Sequence, residues 1–247
     1  MNLNIIKLLY NKITLQILIP LINYIVDFIF PKTCIVTGNR LDEKNSNDYV
    51  EDEVMQSINE VTSNELKEMK SKVASDYAYT LYDFTENSPL QQIIHHFKYR
   101  GMKKLGIYLG ELIGKELINN FYDTVKTFDV IIPVPLYKTK ERERGYNQAE
   151  YLCKGINNQI QIEFIKDLVE RTRHTKSQTK LSQSERIENV KDAFEINKNY
   201  KGKISGKRII LVDDVVTTGS TLNEIIKELR TEDVSQIFVV TAAMAKK

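Results

Sequence analysis

Residues 209–222 read Ile-Ile-Leu-Val-Asp-Asp-Val-Val-Thr-Thr-Gly-Ser-Thr-Leu. An apolar run this short, opened by Gly206 and Arg208, has the length and composition of a buried strand over Arg208–Val212. It leads into two adjacent carboxylates, Asp213 and Asp214, whose charges repel each other. A loop of hydroxyls around Gly219 follows, and Leu222, Ile225, Ile226 and Leu229 then mark an amphipathic helix. Thr217, Thr218, Gly219, Ser220 and Thr221 therefore lie where a strand hands over to a helix N-terminus. There, successive N–H groups and the helix dipole favour an anion, and a residue without Cβ allows close approach. The GxxxxGK spacing of a Walker loop is missing. A phosphate in this loop, carrying a ribose, would present its hydroxyls to Asp213 and Asp214, which accept hydrogen bonds and recruit magnesium through water.

The rest of the chain supplies an alternating framework. Tyr77–Tyr82 suits a strand. Asn87 or Ser88 caps a helix with Pro89 in its first turn and Leu90, Ile93, Ile94 and Phe97 on one face, ended by Gly101. A second helix buries Leu105, Leu109, Leu112, Ile113 and Leu117. Asp129–Pro135 reads as a buried strand stopped by two prolines and ending in a shaped loop. Tyr146–Ile160 is helical, Ile162–Val169 a weaker strand, Phe194–Ile196 a short one and Ile237–Val240 the closing strand. Arg171–Lys191 is long, polar and basic. Alternation of strands and helices predicts an α/β domain on a parallel sheet, with ligands beyond the carboxyl ends of the strands.

Bulk numbers exclude more than they assign. The 247 residues are enough for one large domain with an appendage, and a net charge of +2 makes no general case for nucleic acid. Cys34 and Cys153 are the only cysteines and have no paired spacing, which fits a reducing, cytoplasmic setting and excludes a disulfide framework. Ile13–Phe30 is apolar but carries Gln16, Pro20, Asn23 and Asp27. An Asp near mid-bilayer costs roughly 2.5–3.5 kcal/mol, which argues against a membrane span. Two readings of that segment stand: a helix docked on the protein, or an interfacial or partner-binding helix. Asp42–Lys72 is polar and charged, a linker with irregular and partly helical stretches. The expected division is an N-terminal region over residues 1–76 and an α/β domain over residues 77–247.

Residues 209–222 resemble the phosphoribosyl-diphosphate (PRPP) binding motif of type I phosphoribosyltransferases. Three further stretches are similar to the ComF competence-protein family within that superfamily. They are Phe97-Lys98-Tyr99-Arg100-Gly101, then Pro133-Val134-Pro135-Leu136 continuing through Arg144-Gly145-Tyr146-Asn147-Gln148-Ala149, then Arg171, Gln178, Leu181, Arg186, Asn189-Val190 and Ala193-Phe194. The resemblance covers roughly residues 77–243. It implies a type I phosphoribosyltransferase-like parallel sheet flanked by helices, and PRPP with magnesium as ligand. Asp213 and Asp214 would serve the ribose and the metal, and residues 217–221 the 5-phosphate. The loop at Val134 and Pro135 would meet the diphosphate, with Arg142 and Arg144 as anion contacts. Lys98, Arg100, Gly145, Asn147 and Gln148 carry the family motif. Arg171–Lys191, with Arg171, Gln178 and Arg186, would be a mobile hood.

The family's N-terminal region carries paired CxxC motifs for zinc. Here Thr37 stands where the second cysteine would be, and no later pair exists, so no structural zinc site is expected. Phosphoribosyl transfer to an acceptor is one implied activity, and no residue identifies the acceptor or a catalytic acid. A non-catalytic role in DNA uptake is the other. It would involve single-stranded DNA and competence-machinery proteins, with PRPP as a regulatory ligand. His95, His96, Lys98, Arg100, Lys103 and Lys104, interleaved with Phe97 and Tyr99, and the group Arg171, Arg173, Lys176 and Lys180, form basic clusters of a kind that binds single strands.

Overall fold

The structure, a computed structural model, describes residues 26–173 and 190–245. The chain divides into two compact units, residues 1–55 and 56–247. That division falls earlier than the expected one after residue 76. The helix α2 (Ser63–Lys72) belongs to the larger unit, where it packs on the first strand. Its N-terminus is a reciprocal capping box: Glu65 N–H donates to Thr62 Oγ1, and Thr62 N–H donates to Glu65 Oε2.

In the smaller unit, Thr33 and Arg40 form an antiparallel bridge around a turn in which Gly38 N–H donates to the Cys34 carbonyl at 2.9 Å. The turn is tied to the following segment, which ends in the short helix α1 (Asp52–Gln56), by side chains. Thr37 Oγ1 donates to Glu51 Oε2 at 2.6 Å and Asn39 Nδ2 donates to Glu51 Oε1 at 3.1 Å. Cys34 Sγ accepts from Glu51 N–H at 3.5 Å. One thiol among hydroxyl, amide and carboxylate groups is not a zinc donor set, so this unit does not fit the metal that its family resemblance implies. Of the apolar N-terminal segment, residues 26–30 are described, and Val26, Phe28, Ile29 and Phe30 are exposed. Among the described residues no helix is long and apolar enough to cross a membrane.

The larger unit is built on a parallel five-stranded sheet in the order β1-β7-β6-β2-β3. These strands are β1 (Tyr77–Phe84), β2 (Val130–Pro133), β3 (Glu163–Phe164), β6 (Arg208–Val216) and β7 (Gln236–Ala245). The stretch expected as one weak strand over 162–169 divides in two. Its start is β3; its end opens β4 (Val169–Arg171), which leaves the sheet and pairs antiparallel with β5 (Phe194–Ile196). Val169, Phe194 and Ile196 bury their side chains under that ribbon and join the main core.

Central strands are apolar on both faces because both are covered. Val130, Ile132, Ile209 and Leu211 share a core with Leu222, Ile225, Ile226 and Leu229 of α7 (Ser220–Arg230). The alternate residues Ile131, Ile210 and Val212 are equally buried and face the other way, where α6 (Gln148–Ile160) packs on β2 and β6. The long helix α4 (Lys103–Val125) lies against α6 through glycines. A Cβ on Gly110 would stand 2.3 Å from the Leu152 carbonyl oxygen, and one on Gly155 would stand 2.0 Å from that of Ile107. The two backbones are in contact with no room for side chains between them. Two further helices, α3 (Pro89–Tyr99) and α5 (Lys138–Arg144), frame the carboxyl end of the sheet. Ser88 caps α3, its Oγ accepting from Gln91 N–H at 3.2 Å, as its sequence predicts.

Candidate phosphoribosyl-binding site

The sheet ends unevenly, and that unevenness makes the site. Strand β2 stops at Pro133, whose neighbour on β6 is Val212. The last link across that edge runs from Val134 N–H to the Val212 carbonyl at 2.8 Å. Strand β6 does not end at Val212, as its sequence leads one to expect; it continues to Val216, paired on one side only with β7 through Asp213↔Thr241 and Val215↔Ala243. Asp213 and Asp214 are therefore the residues of a strand edge that has lost its β2 partner, not the start of a loop. Their backbone is fixed by the sheet while their side chains face a cleft.

That cleft has a volume of about 350 Å³. Its floor is Asp213, Asp214 and Val215; Val134, Pro135 and Leu136 form one wall; Lys98, Lys140, Arg144 and Arg171 bring positive charge to it. A smaller cavity of about 50 Å³ continues from it, lined by Thr217–Leu222 at the N-terminus of α7. Thr217 and Thr221 line both. All five residues of the expected phosphate cradle are thus together, contiguous with the acid pair. Gly219 holds φ at +76°, and a Cβ there would meet the Lys72 carbonyl oxygen at 2.4 Å. Asn223 clasps the same end of α2: its Nδ2 donates to the Lys72 carbonyl at 2.9 Å, and its Oδ1 accepts from Ala74 N–H at 2.8 Å. Thr218 Oγ1 lies 2.8 Å from Ser220 Oγ and accepts from Ser220 N–H at 3.4 Å, which pulls the loop into a tight curve.

The acids differ in their surroundings. Asp214 Oδ2 lies 3.0 Å from Lys98 Nζ, and Asp213 Oδ1 accepts from Asp214 N–H at 2.8 Å. Burial, followed by the neighbouring Asp214 charge, raises the Asp213 pKa above the usual carboxylate range. Positive charge is crowded as well. Burial, then Arg171 and Arg144, lower the Lys140 pKa. Burial also lowers that of Arg171, and Asp213 opposes the shift.

The family motif Arg144–Ala149 proves to be a brace. Tyr146 Oη donates to the Phe97 carbonyl, and Gln148 Nε2 donates to the Lys98 carbonyl at 3.4 Å. Burial raises the Tyr146 pKa to about 12. Asn147 caps α6 by accepting from Ala149 N–H and donates to the Val134 carbonyl at 2.9 Å. One turn thereby fixes both the end of α3 that carries Lys98 and the Val134 loop. Gly145, at φ +76°, ends α5 so that the turn can form. Arg144 reaches the cleft, donates to Gln148 Oε1 at 2.7 Å and lies 5.4 Å from the Tyr99 ring centroid.

Arg142 and Arg100 are exposed and outside the cleft lining. Lys140 is the residue that sequence reading missed. The segment 138–144 is a helix, on which Lys140 and Arg144 share a face at i, i+4 while Arg142 points elsewhere. Tyr99, from the Phe97–Gly101 stretch, also lines the cleft, as do Phe84 and Ala245, which had no sequence signal. Arg171 is in place at the end of β4, its guanidinium 5.2 Å from the Phe194 ring centroid. Gln178 and Arg186, like most of the expected hood, lie outside the described residues, as do Lys176 and Lys180.

A parallel sheet with this acid pair and hydroxyl-rich loop at its carboxyl end defines a phosphoribosyltransferase-like domain, and residues 150–247 match the phosphoribosyl transferase domain family. Competence protein F of Haemophilus influenzae is 36% identical over 162 residues, covering 64% of this chain and 69% of that protein. DNA utilization protein YhgH of Escherichia coli is 33% identical over 138 residues, 56% of this chain and 59% of its own. Competence protein ComFC of Bacillus subtilis is 30% identical over 149 residues, 57% of this chain and 53% of its own. The chain belongs to the ComF family of the phosphoribosyltransferase superfamily.

Proposed function

We propose that this protein binds PRPP with magnesium in the cleft beyond β6 and transfers its phosphoribosyl group to an acceptor. The observation that carries this reading is the one-sided end of β6. It places Asp213 and Asp214 against a cleft supplied with cations and runs directly into the cradle at residues 217–221. The cradle would hold the 5-phosphate on backbone N–H groups and hydroxyls, each hydrogen bond to the charged group contributing about 1.5–3 kcal/mol. Carboxylate and hydroxyl oxygens are the hard donors that magnesium takes, and a divalent cation offsets the cost of ionising Asp213 beside Asp214. Magnesium arriving with the diphosphate would therefore be held by Asp213 and Asp214, and it would supply further neutralisation of the phosphate charge.

In the reaction the bond from C1 of the ribose to the diphosphate oxygen breaks, and a bond from C1 to the acceptor's nucleophilic atom forms. Negative charge collects on the leaving diphosphate. Lys140, Arg144 and Arg171 line the cleft already in the free protein, and fixed positive charge there would stabilise the leaving diphosphate without reorganisation. Thermal unfolding tests the binding. At a PRPP concentration near 100 times Kd, with magnesium, stability rises by about 2.7 kcal/mol and the midpoint by several degrees. No midpoint shift at millimolar PRPP rules this reading out.

A second reading follows from the exposed aromatic and basic groups beside the cleft. Tyr99 is 58% exposed, His95 lies 4.9 Å from it between centroids, and Arg100 and Lys104 are exposed. Two named relatives are a competence and a DNA utilization protein. In this reading the surface stacks single-stranded DNA, and PRPP acts as a regulatory ligand. Phe97 takes no part, being fully buried, and Lys98 is turned to Asp214. Oligonucleotide affinity that falls steeply with salt and with Tyr99→Ala supports it; salt-insensitive or absent binding removes it.

A further inference from the structure

We infer that Lys98 is a specificity-determining residue that changes partners. It closes Asp214 in the free protein and turns to the diphosphate when PRPP enters, so that ribose 5-phosphate alone is rejected. This rests on the reading of the cleft as the PRPP site.

Lys98 Nζ and Asp214 Oδ2 are 3.0 Å apart, with side-chain exposures of 21% and 12%. A ribose hydroxyl donating to Asp214 competes with that ammonium for the same oxygen. Displacing the ammonium with no second anion to receive it leaves a largely shielded positive charge unpaired, an outcome that costs more than the pair itself gained. Ribose 5-phosphate offers no replacement, because its phosphate is claimed by the cradle at residues 217–221. The diphosphate of PRPP does. A lysine suits the exchange, since its four-carbon stem carries a compact charge between two anions while an arginine fork is committed to one geometry. The neighbouring cations are engaged differently, Arg144 with Gln148 and the Tyr99 ring and Arg171 over the Phe194 ring.

The backbone around Lys98 is built to stay put while its side chain moves. Tyr146 holds the Phe97 carbonyl and Gln148 holds the Lys98 carbonyl. Phe97 itself is fully buried. The exchange therefore needs only rotamer changes along one stem. It also explains why two separate motifs, residues 97–101 and 144–149, occur together in one chain: the second anchors the residue that the first supplies.

Calorimetric titration with PRPP and with ribose 5-phosphate, magnesium present throughout, tests the inference. The wild type favours PRPP. In Lys98→Met the PRPP affinity falls about tenfold or more, the range of one charge-assisted hydrogen bond, while ribose 5-phosphate affinity holds or rises. Equal losses for both ligands, or an unchanged preference, overturn the role of Lys98. Where that happens while the wild type still binds PRPP and Asp213→Asn/Asp214→Asn weakens the binding, the site stands and only the exchange is overturned. A wild type that binds neither ligand overturns both. Should Lys98→Met not fold, the wild type decides alone: the Lys98 Nζ resonance shifts with PRPP and stays in place with ribose 5-phosphate. A shift with both ligands, or with neither, contradicts the exchange.

Discussion

At the residue scale the site is a set of costs accepted in the free protein. Asp213 is the clearest. Its folded pKa lies above the ordinary carboxylate value, because burial and Asp214 disfavour its charge. Between the two values the folded state binds more protons than the unfolded state, so the Asp213 contribution to stability is lost as pH rises through that window. Asp213→Asn removes the titration. The ligand-free variant gains stability over the wild type as pH rises from about 4 towards 8, measured by chemical denaturation. A constant difference across that range contradicts the assignment. Gly219 is the second such residue. With φ at +76° and the Lys72 carbonyl at 2.4 Å from any Cβ, Gly219→Ala costs on the order of 2 kcal/mol or more in the midpoint of denaturation and disturbs the cradle. The string around these residues was legible because its chemistry is local: acids, hydroxyls and a glycine in sequence order. The Lys98–Asp214 pair was not, since its members are far apart in the chain and only the fold joins them.

At the element scale the sequence spoke through periodicity and caps, and fell silent where an element ends for tertiary reasons. Ser88, Pro89 and Gly101 bounded α3 correctly because capping is a property of the local backbone. The extent of β6 exceeds what its sequence predicts, since nothing in Asp213-Asp214 announces a strand; the neighbouring β7 extends it. Likewise α5 was hidden in a run of charges with no apolar face, and with it the Lys140/Arg144 pairing. The glycines of α4 and α6 are the contact surface between the two helices. Gly155→Ala places a methyl 2.0 Å from the Ile107 carbonyl and lowers stability by about 2–4 kcal/mol, read in the denaturation midpoint. Asn147→Ala strands the Val134 carbonyl and uncaps α6, costing about 1–3 kcal/mol. On the proposed reading PRPP affinity falls in that variant as well, because the Val134 loop is no longer tethered.

Across the whole molecule, the candidate site gathers at one edge of the larger unit. The two-sided core of the larger unit, from Ile132 and Leu211 to Leu229, keeps rigid the ends of β2 and β6 that the cleft needs. The smaller unit is held differently, by Thr37, Asn39 and Glu51 around Cys34. Exhaustive chelation should therefore leave the thermal midpoint unchanged, whereas loss of a structural zinc would remove a binding energy on the order of 10 kcal/mol. The measurement that reaches the centre of this account is calorimetric titration of PRPP with magnesium into the wild type and into Asp213→Asn/Asp214→Asn. The account predicts saturable binding that the double substitution weakens by at least tenfold while the fold is retained. Binding of equal strength in both proteins, or none in either, would contradict it.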